Sequence, residues 1–511
     1  MTRTLDEEFP IRPFSDPADF GRVREWFLDT GFTRGVLPRE LRMSETTPPG
    51  EIEGGAVSIR LSRDGPLSGL LRLFVLGCRL SGDEARAALG PVGPERWREA
   101  GILVEDRDGF RCPVRLTPFP GDADGWGVGD SPDHVDRPDF VMCPSSASEG
   151  LARLLVRRPV ESLLDLGAGG GFFAILGARS ATRVTATDLC PRARPIARFN
   201  AALNGCDNVD VLEGSLYEPV AGRTFDRIVA NAPFVLGPGS GHVYRDSGGV
   251  LDGVAWRAAR EAPAHLAEGG ICQMLIHWPL GRGEESDERV REWLSGLSCD
   301  VWMMVHSRMP AADYARRYLT EVREVRTQEY AEAFARWHDW FRDEGVEEVA
   351  MGSLALRRRS GDGHWVHVEE APGIGTGSGE DIALGFEVRD FLRSTDDEAL
   401  LTARPLVDEG LELHQRAVAV PGSGFEHRTM RLLRTRGLRY EGNTDPMIGG
   451  LVARFDGETT AAELVAELAE ATGGGSDTVR TAMLSALRGL LEVGFVRLGD
   501  GATTAGRASL R

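Results

Sequence analysis

The sequence contains no lysine, and all 59 of its basic residues are arginine. That absence excludes a phosphate-binding loop ending in Gly-Lys, a Schiff-base lysine and the strand lysine of a protein kinase. Long apolar runs are missing too. The densest, Leu70 to Cys78, falls well short of the ~18 residues of a membrane span, so no membrane association is expected. The first ten residues, MTRTLDEEFP, are acidic and have no apolar core, so no secretory signal is expected there. The seven cysteines (Cys78, Cys112, Cys143, Cys190, Cys206, Cys272 and Cys299) show no CxxC spacing. A dispersed, odd-numbered set fits reduced cytoplasmic thiols better than a disulfide framework or a metal site. Positive charge is also in deficit, with 59 basic against 78 acidic residues and a net charge of −19. Phosphate binding draws on clustered cations, so this balance disfavours a long nucleic-acid groove.

What is present is ordinary globular composition, 41% hydrophobic and 27% charged. At ~100–200 residues per domain, 511 residues suggest about three domains. Residues 1–140 mix helical segments (Asp16–Thr30, Asp83–Leu89, Pro94–Ala100) with short strands at Ile102–Glu105 and Gly109–Leu116, a helix, helix, hairpin order. Residues 141–370 alternate strands and helices in the rhythm of an open parallel sheet. Strands are expected at Ser162–Leu166, Arg183–Asp188, Val209–Glu213, Arg227–Ala230, Ile271–His277, Asp300–His306 and Val346–Arg357, with a helical insertion near 310–345. Residues 371–395, opening on the Gly-rich Pro372–Gly379, are expected to form a linker or extension. Residues 396–500 form a second small helical unit, with a capping box at Thr460–Glu463, and 501–511 a disordered tail.

The strongest chemical signal is Leu163-Leu-Asp-Leu-Gly-Ala-Gly-Gly-Gly171. An apolar strand runs through Asp165 into a turn at Gly167, Ala168, Gly169 and Gly171, and a helix follows near Phe172. Glycines let bare backbone approach a ligand. Asp188, followed by Leu189, ends the next strand, where an acid can accept both hydroxyls of a ribose. The combination points to a nucleoside cofactor.

The pattern D-L-G-x-G-x-G resembles motif I of class I S-adenosylmethionine methyltransferases. Asn231-Ala-Pro-Phe234 ends the fourth strand and resembles the N-P-P-[FY] motif of amino-group methyltransferases, with Ala232 in place of the first proline. In that family the Asn oxygen and the next carbonyl accept the two protons of a planar NH₂, and the aromatic residue stacks on it. Pro191-Arg-Ala193, Asn200 and Asn204-Gly205 are similar to the release-factor glutamine and small-domain RNA methyltransferases. Ser215 stands where that group carries an aspartate for the adenine amine, beside Leu216.

The resemblance implies S-adenosylmethionine as cofactor, held by Asp165, Gly167, Ala168, Gly169, Gly171, Asp188, Leu189, Ser215, Leu216 and Asn231. Asp165 would face the ammonium of the amino-acid tail directly or through water. Asn231, Ala232, Pro233 and Phe234 would form the catalytic motif, with Tyr244, Arg245 and Asp246 in the following Gly-rich loop touching substrate. His242 in that loop is a candidate base, and Cys143–Ser148 a candidate part of the cofactor entrance. The implied fold is α/β, a doubly wound, mostly parallel seven-stranded Rossmann-like sheet flanked by small winged-helix-like domains. The implied activity is methyl transfer to a planar or amide-like nitrogen of a protein, peptide or small-molecule acceptor. Methylation of an RNA or DNA base, O-methylation of a metabolite, and a cofactor-binding interaction module without turnover stay open. The terminal domains would either recognise substrate or build a homo-oligomer.

Overall fold

A computed structural model describes residues 10–35, 65–121, 123–239, 253–320, 327–422, 424–473 and 475–498. They fall into two compact units, residues 1–152 with 157–371, and residues 372–511 with 153–156.

The first unit opens with helix α1 (Ala18–Asp29), whose Phe20, Val23 and Phe27 recur at helical spacing on a buried face. The dense apolar run follows as α2 (Pro66–Leu70), which widens into a π turn at Leu71–Val75 and is buried almost throughout. A capping box between Ser81 and Glu84 starts α3 (Gly82–Leu89), and Pro94 starts α4 (Pro94–Glu99). Strands β1 (Val104–Asp106) and β2 (Gly109–Arg111) form the expected hairpin, and Leu80 bridges to Phe110. A buried antiparallel pair follows, β3 (Val114–Pro118) and β4 (Trp126–Asp130). After these comes α5 (Ser146–Leu154).

The main sheet is built from β5 (Val160–Leu166), α6 (Phe172–Ala178), β6 (Ala181–Asp188), α7 (Ala193–Leu203), β7 (Val209–Glu213), β8 (Phe225–Ala230), α8 (Val254–His265) and β9 (Leu266–Leu280). It continues through α9 (Ser286–Trp293), β10 (Cys299–Pro310), the helical pair α10 (Ala311–Thr320) and α11 (Gln328–Asp343), β11 (Glu348–Arg358) and β12 (Val366–Glu370). The strand order is β12-β10-β11-β9-β8-β5-β6-β7. From β7 to β9 all neighbours are parallel, and β11 runs antiparallel between β9 and β10. The sheet is therefore the expected α/β type, but it has eight strands rather than seven. The extra strand, β12, pairs parallel with the outer edge of β10. Its residues are only half buried, so its sequence lacks the apolar run that marks a central strand.

Residues 10–35 and 65–140 do not stand apart from this sheet. Phe199 of α7 lies 5.4 Å from Phe14 and 5.3 Å from Phe20 between ring centroids, and Ala193, Ile196 and Leu203 join the same core.

In the second unit the expected linker at 371–395 is instead largely a helix. After β13 (Gly373–Ile374), Gly377 adopts a left-handed conformation and caps α12 (Ser378–Ser394), which buries Ile382, Ala383 and Phe386. There follow α13 (Asp397–Leu401), β14 (Pro405–Val407), a hairpin of β15 (Leu411–Val420) and β16 (Gly424–Arg434), then β17 (Leu438–Arg439) and β18 (Glu441–Asn443). Helices α14 (Pro446–Val452), α15 (Ala461–Thr472, with the Thr460–Glu463 capping box) and α16 (Ser476–Glu492) precede β19 (Val496–Leu498), which pairs with β14. Leu400, Phe455, Leu464, Leu487 and Phe495 form this unit's core. The expected tail at 501–511 lies outside the described residues, and among those described no helix is long and apolar enough to cross a membrane.

Candidate active site

The C-terminal ends of β5, β6, β7 and β8 surround a cleft of about 240 Å³. At the end of β5 the chain turns through Gly167, Gly169 and Gly171, each with positive φ. The amides of Gly167 and Ala168 both donate to the Thr187 carbonyl of β6. A Cβ on Gly169 would meet nothing within 4 Å, so the turn borders open space. One on Gly167 would come within 3.6 Å of the Ala232 Cα, which brings the first turn and the fourth strand end together.

Asp188 clips this turn in place. Its Oδ2 accepts from the Gly169 amide at 2.7 Å and its Oδ1 from the Cys190 amide at 2.8 Å. Burial pushes its carboxyl upward in pKa, and the two amides pull the other way. Each oxygen has capacity for a further hydrogen bond, and Asp188 lines the cleft. Leu189 lines the cleft with 57% of its surface exposed. Gly214, Ser215 and Leu216 form the wall beyond β7. Leu216 is the one non-glycine residue with positive φ (45°) among the described residues, and its carbonyl accepts from the Thr187 hydroxyl.

Asp165 is placed differently from expectation. It is fully buried beneath the turn and is not among the residues lining the cleft. Its Oδ2 accepts from the Ala174 amide at 2.7 Å, and its Oδ1 is buried with no hydrogen-bond partner. Burial raises its pKa to about 7, the Ala174 amide lowers it, and the neighbouring Asp188 charge adds a further rise.

Asn231, Ala232 and Pro233 line the cleft at the end of β8. The Asn231 amide nitrogen donates to Ser148 Oγ at 3.2 Å, while its Oδ1 is buried without a partner. Phe234 does not line the cleft. Its ring packs 4.4 Å from the His277 ring, turned toward the core rather than toward an acceptor. His277 is itself buried beside the Tyr314 hydroxyl. Tyr244, Arg245, Asp246 and His242 lie outside the described residues.

The opposite wall comes from Val128 of β4, Phe140 to Pro144 before α5, and Ser148 within α5. Two asparagines one turn apart, Asn200 of α7 and Asn204 just past its end, hold its base. Asn200 bonds both the amide and the carbonyl of Val128, at 2.7 and 2.9 Å, and Asn204 bonds both backbone groups of Trp126, at 3.0 and 2.7 Å. Arg192 makes a buried two-pronged pair with Asp130, at 2.5 and 2.9 Å, and Asp130 accepts from the Val141 amide. Residues 138–142 and Asp130 were not singled out by sequence reasoning. The Pro-Arg-Ala and Asn spacing carried a family resemblance, but one sequence cannot say which distant backbone these side chains grip.

Residues 145–284 match the methyltransferase small domain, while 53–113 and 384–498 match two domains of unknown function (DUF7059 and DUF7782). The release factor glutamine methyltransferase of Deinococcus radiodurans is 37% identical over 150 residues, 28% of this chain and 50% of that protein. That of Cereibacter sphaeroides is 36% identical over 157 residues, 28% and 56% of the two chains. The ribosomal protein uL3 glutamine methyltransferase of Bradyrhizobium diazoefficiens is 34% identical over 155 residues, 27% and 46%. The chain thus spans about half the length of the curated relatives it matches. The cofactor of such domains is S-adenosylmethionine, and the residues present fit it. Asp188 has acceptor capacity for ribose hydroxyls, Gly169 borders open space, and Leu189 gives an apolar lip. Residues 145–284 are a methyltransferase small domain of the class I S-adenosylmethionine-dependent methyltransferases.

Proposed function

We propose that the protein methylates a carboxamide nitrogen of a protein or peptide acceptor, with S-adenosylmethionine as methyl donor. The observation that carries this reading is the buried, partnerless Oδ1 of Asn231, a residue that lines the cleft at the end of β8. A buried acceptor without a donor costs about 1–3 kcal/mol, so it is kept where a ligand supplies the missing N–H. The three curated relatives named above, two of release factors and one of a ribosomal protein, are glutamine methyltransferases by name.

The cofactor, when bound, supplies a methyl group on a positively charged sulfur. The chain's own part is orientation. Asn231 Oδ1 and the Ala232 carbonyl would accept the two N–H groups of a primary amide. That grip turns the nitrogen lone pair toward the cofactor side of the cleft and favours positive charge developing on nitrogen. One N–H of the Asn231 amide is given to Ser148, and the oxygen is the acceptor that this side chain offers. No side chain with a matched pKa is required, because a methylated amide can lose its proton to water afterwards.

The test is transfer of labelled methyl from S-adenosylmethionine to a peptide with a central glutamine, beside the same peptide carrying glutamate and an unstructured RNA. Label in the glutamine peptide alone supports the reading. Label in the RNA, or in the glutamate peptide, overturns it in favour of a base amine or an oxygen acceptor. Cofactor binding with no transfer to acceptors drawn from a whole-cell extract overturns it in favour of a binding module.

A further inference from the structure

The last residue of β10, Pro310, pairs directly with the first of β11, Glu348. Strands so placed can be joined by a two-residue turn. Instead α10 and α11 lie between them in the chain and pack against Val235 and Leu236 of the loop that leaves β8. Tyr314, Trp337 and Phe341 belong to that cluster, and all three are buried.

Within it lies one polar chain. The Leu236 amide donates to the Tyr314 hydroxyl at 3.1 Å, and that hydroxyl lies 2.8 Å from His277 Nδ1. Burial, helped by the Arg317 and His306 charges, lowers the His277 pKa to about 3, so the imidazole is neutral. The Tyr314 oxygen accepts from Leu236, and neutral Nδ1 is an acceptor within hydrogen-bond distance of the same hydroxyl. The Phe234 ring also packs against the His277 ring, tilted by 50° at a centroid distance of 4.4 Å.

We propose that Tyr314 and His277 are positioning residues that clamp the far end of the Asn231–Leu236 loop and so hold the Asn231 oxygen over the cleft. This rests on the methyl-transfer reading of Asn231. The loop is tied at its start by Ser148 and at its end by Tyr314, with Phe234 wedged on His277 between the two. The helical pair between β10 and β11 thereby acquires a role in the chemistry of a strand end that it does not itself reach.

The experiment compares amide hydrogen exchange of the peptide containing Leu236 in the wild type, Tyr314→Phe and Phe341→Leu. The last variant trims the same apolar cluster and leaves the polar chain intact. Calorimetry with S-adenosylmethionine and the methyl-transfer rate complete the set. Tyr314→Phe is expected to speed Leu236 exchange about tenfold, the scale of one lost buried hydrogen bond. It should lower kcat while leaving cofactor affinity and cofactor KM unchanged. Phe341→Leu should leave Leu236 protection and kcat as they were. His277→Asn, which keeps an acceptor near the Nδ1 position, should fall between the wild type and His277→Leu. Unchanged Leu236 exchange in Tyr314→Phe overturns the clamp. Faster exchange with unchanged kcat overturns its link to Asn231. Absence of transfer in the wild type overturns the methyl-transfer reading and, with it, the role assigned to the clamp, whatever the exchange data show.

Discussion

Asn231 gives a proton of its side-chain amide to Ser148 Oγ at 3.2 Å and keeps its own oxygen buried with no donor against it. One half of the amide is fixed by the protein and the other is left for a ligand. Replacing Asn231 with alanine removes the free acceptor and leaves the glycine turn and Asp188 untouched. The expected outcome is an about 10²–10³-fold loss in kcat, the scale of deleting one oriented transition-state partner. Cofactor affinity should change little. Steady-state kinetics beside calorimetry separates the two, and full activity in Asn231→Ala would remove this residue from the chemistry.

Asp188 gives the complementary prediction. Its two oxygens hold the Gly169 and Cys190 amides, and it lines the cleft. Asp188→Ala loses charge-assisted bonds to the turn along with any bond to the cofactor, so affinity for S-adenosylmethionine should fall by on the order of 10- to 100-fold. Asp188→Asn can still accept one of the two amides and should lose less. Calorimetric titration of both variants checks the order, and equal affinity in all three proteins would sink the assignment.

The place of Asp188 beside the glycine turn was legible because the local sequence dictates it. The run Leu163–Leu166 can only be a strand covered on both faces, glycines follow where the chain must turn, and an acid closes the next strand. Other features depend on partners far along the chain. Phe234 reads as an aromatic platform for the acceptor, yet its ring finds His277, which belongs to a strand whose packing no local pattern reveals. The Gly-rich start of residues 371–395 reads as a linker, yet Gly377 serves as the left-handed cap of α12 and the burial of Ile382 and Phe386 carries the helix onward. The hairpin of β15 and β16 escaped notice for the opposite reason. Most of β15 is exposed on both faces, so its sequence has no core-facing alternation to read.

Asp165 makes stability depend on pH in a direction opposite to the usual carboxylate. Its pKa in the fold is raised to about 7, against about 3.9 in an unfolded chain. Between those values the folded state binds more protons than the unfolded state, so stability falls as pH rises. The contribution is fully present below about pH 4 and is lost as pH passes through about 7, and its size is on the order of a few kcal/mol. Asp165→Asn keeps an acceptor for the Ala174 amide and does not titrate. Thermal unfolding without cofactor from pH 5 to pH 8 should show the Tm of the wild type dropping relative to Asp165→Asn. Parallel curves would mean that the carboxyl is ionised throughout.

The wall opposite the glycine turn rests on Arg192 and Asp130, whose side chains are 3% and 1% exposed. Removing one member of such a pair strands the other charge away from water, a loss of about 3–5 kcal/mol. Arg192→Met should therefore lower Tm markedly, and the damage should reach the cleft, because Asp130 also holds the Val141 amide and Arg192 holds the Asp139 carbonyl. Asp130→Asn alone keeps an acceptor for Val141 but loses the charge opposite Arg192. Adding it to Arg192→Met removes the stranded carboxylate and should recover part of the stability lost. Cofactor affinity should not recover with it, since the tie to Asp139 is still absent. If Tm and cofactor affinity instead recover together in the double variant, the pair acts on the cleft through overall stability and not by shaping its wall.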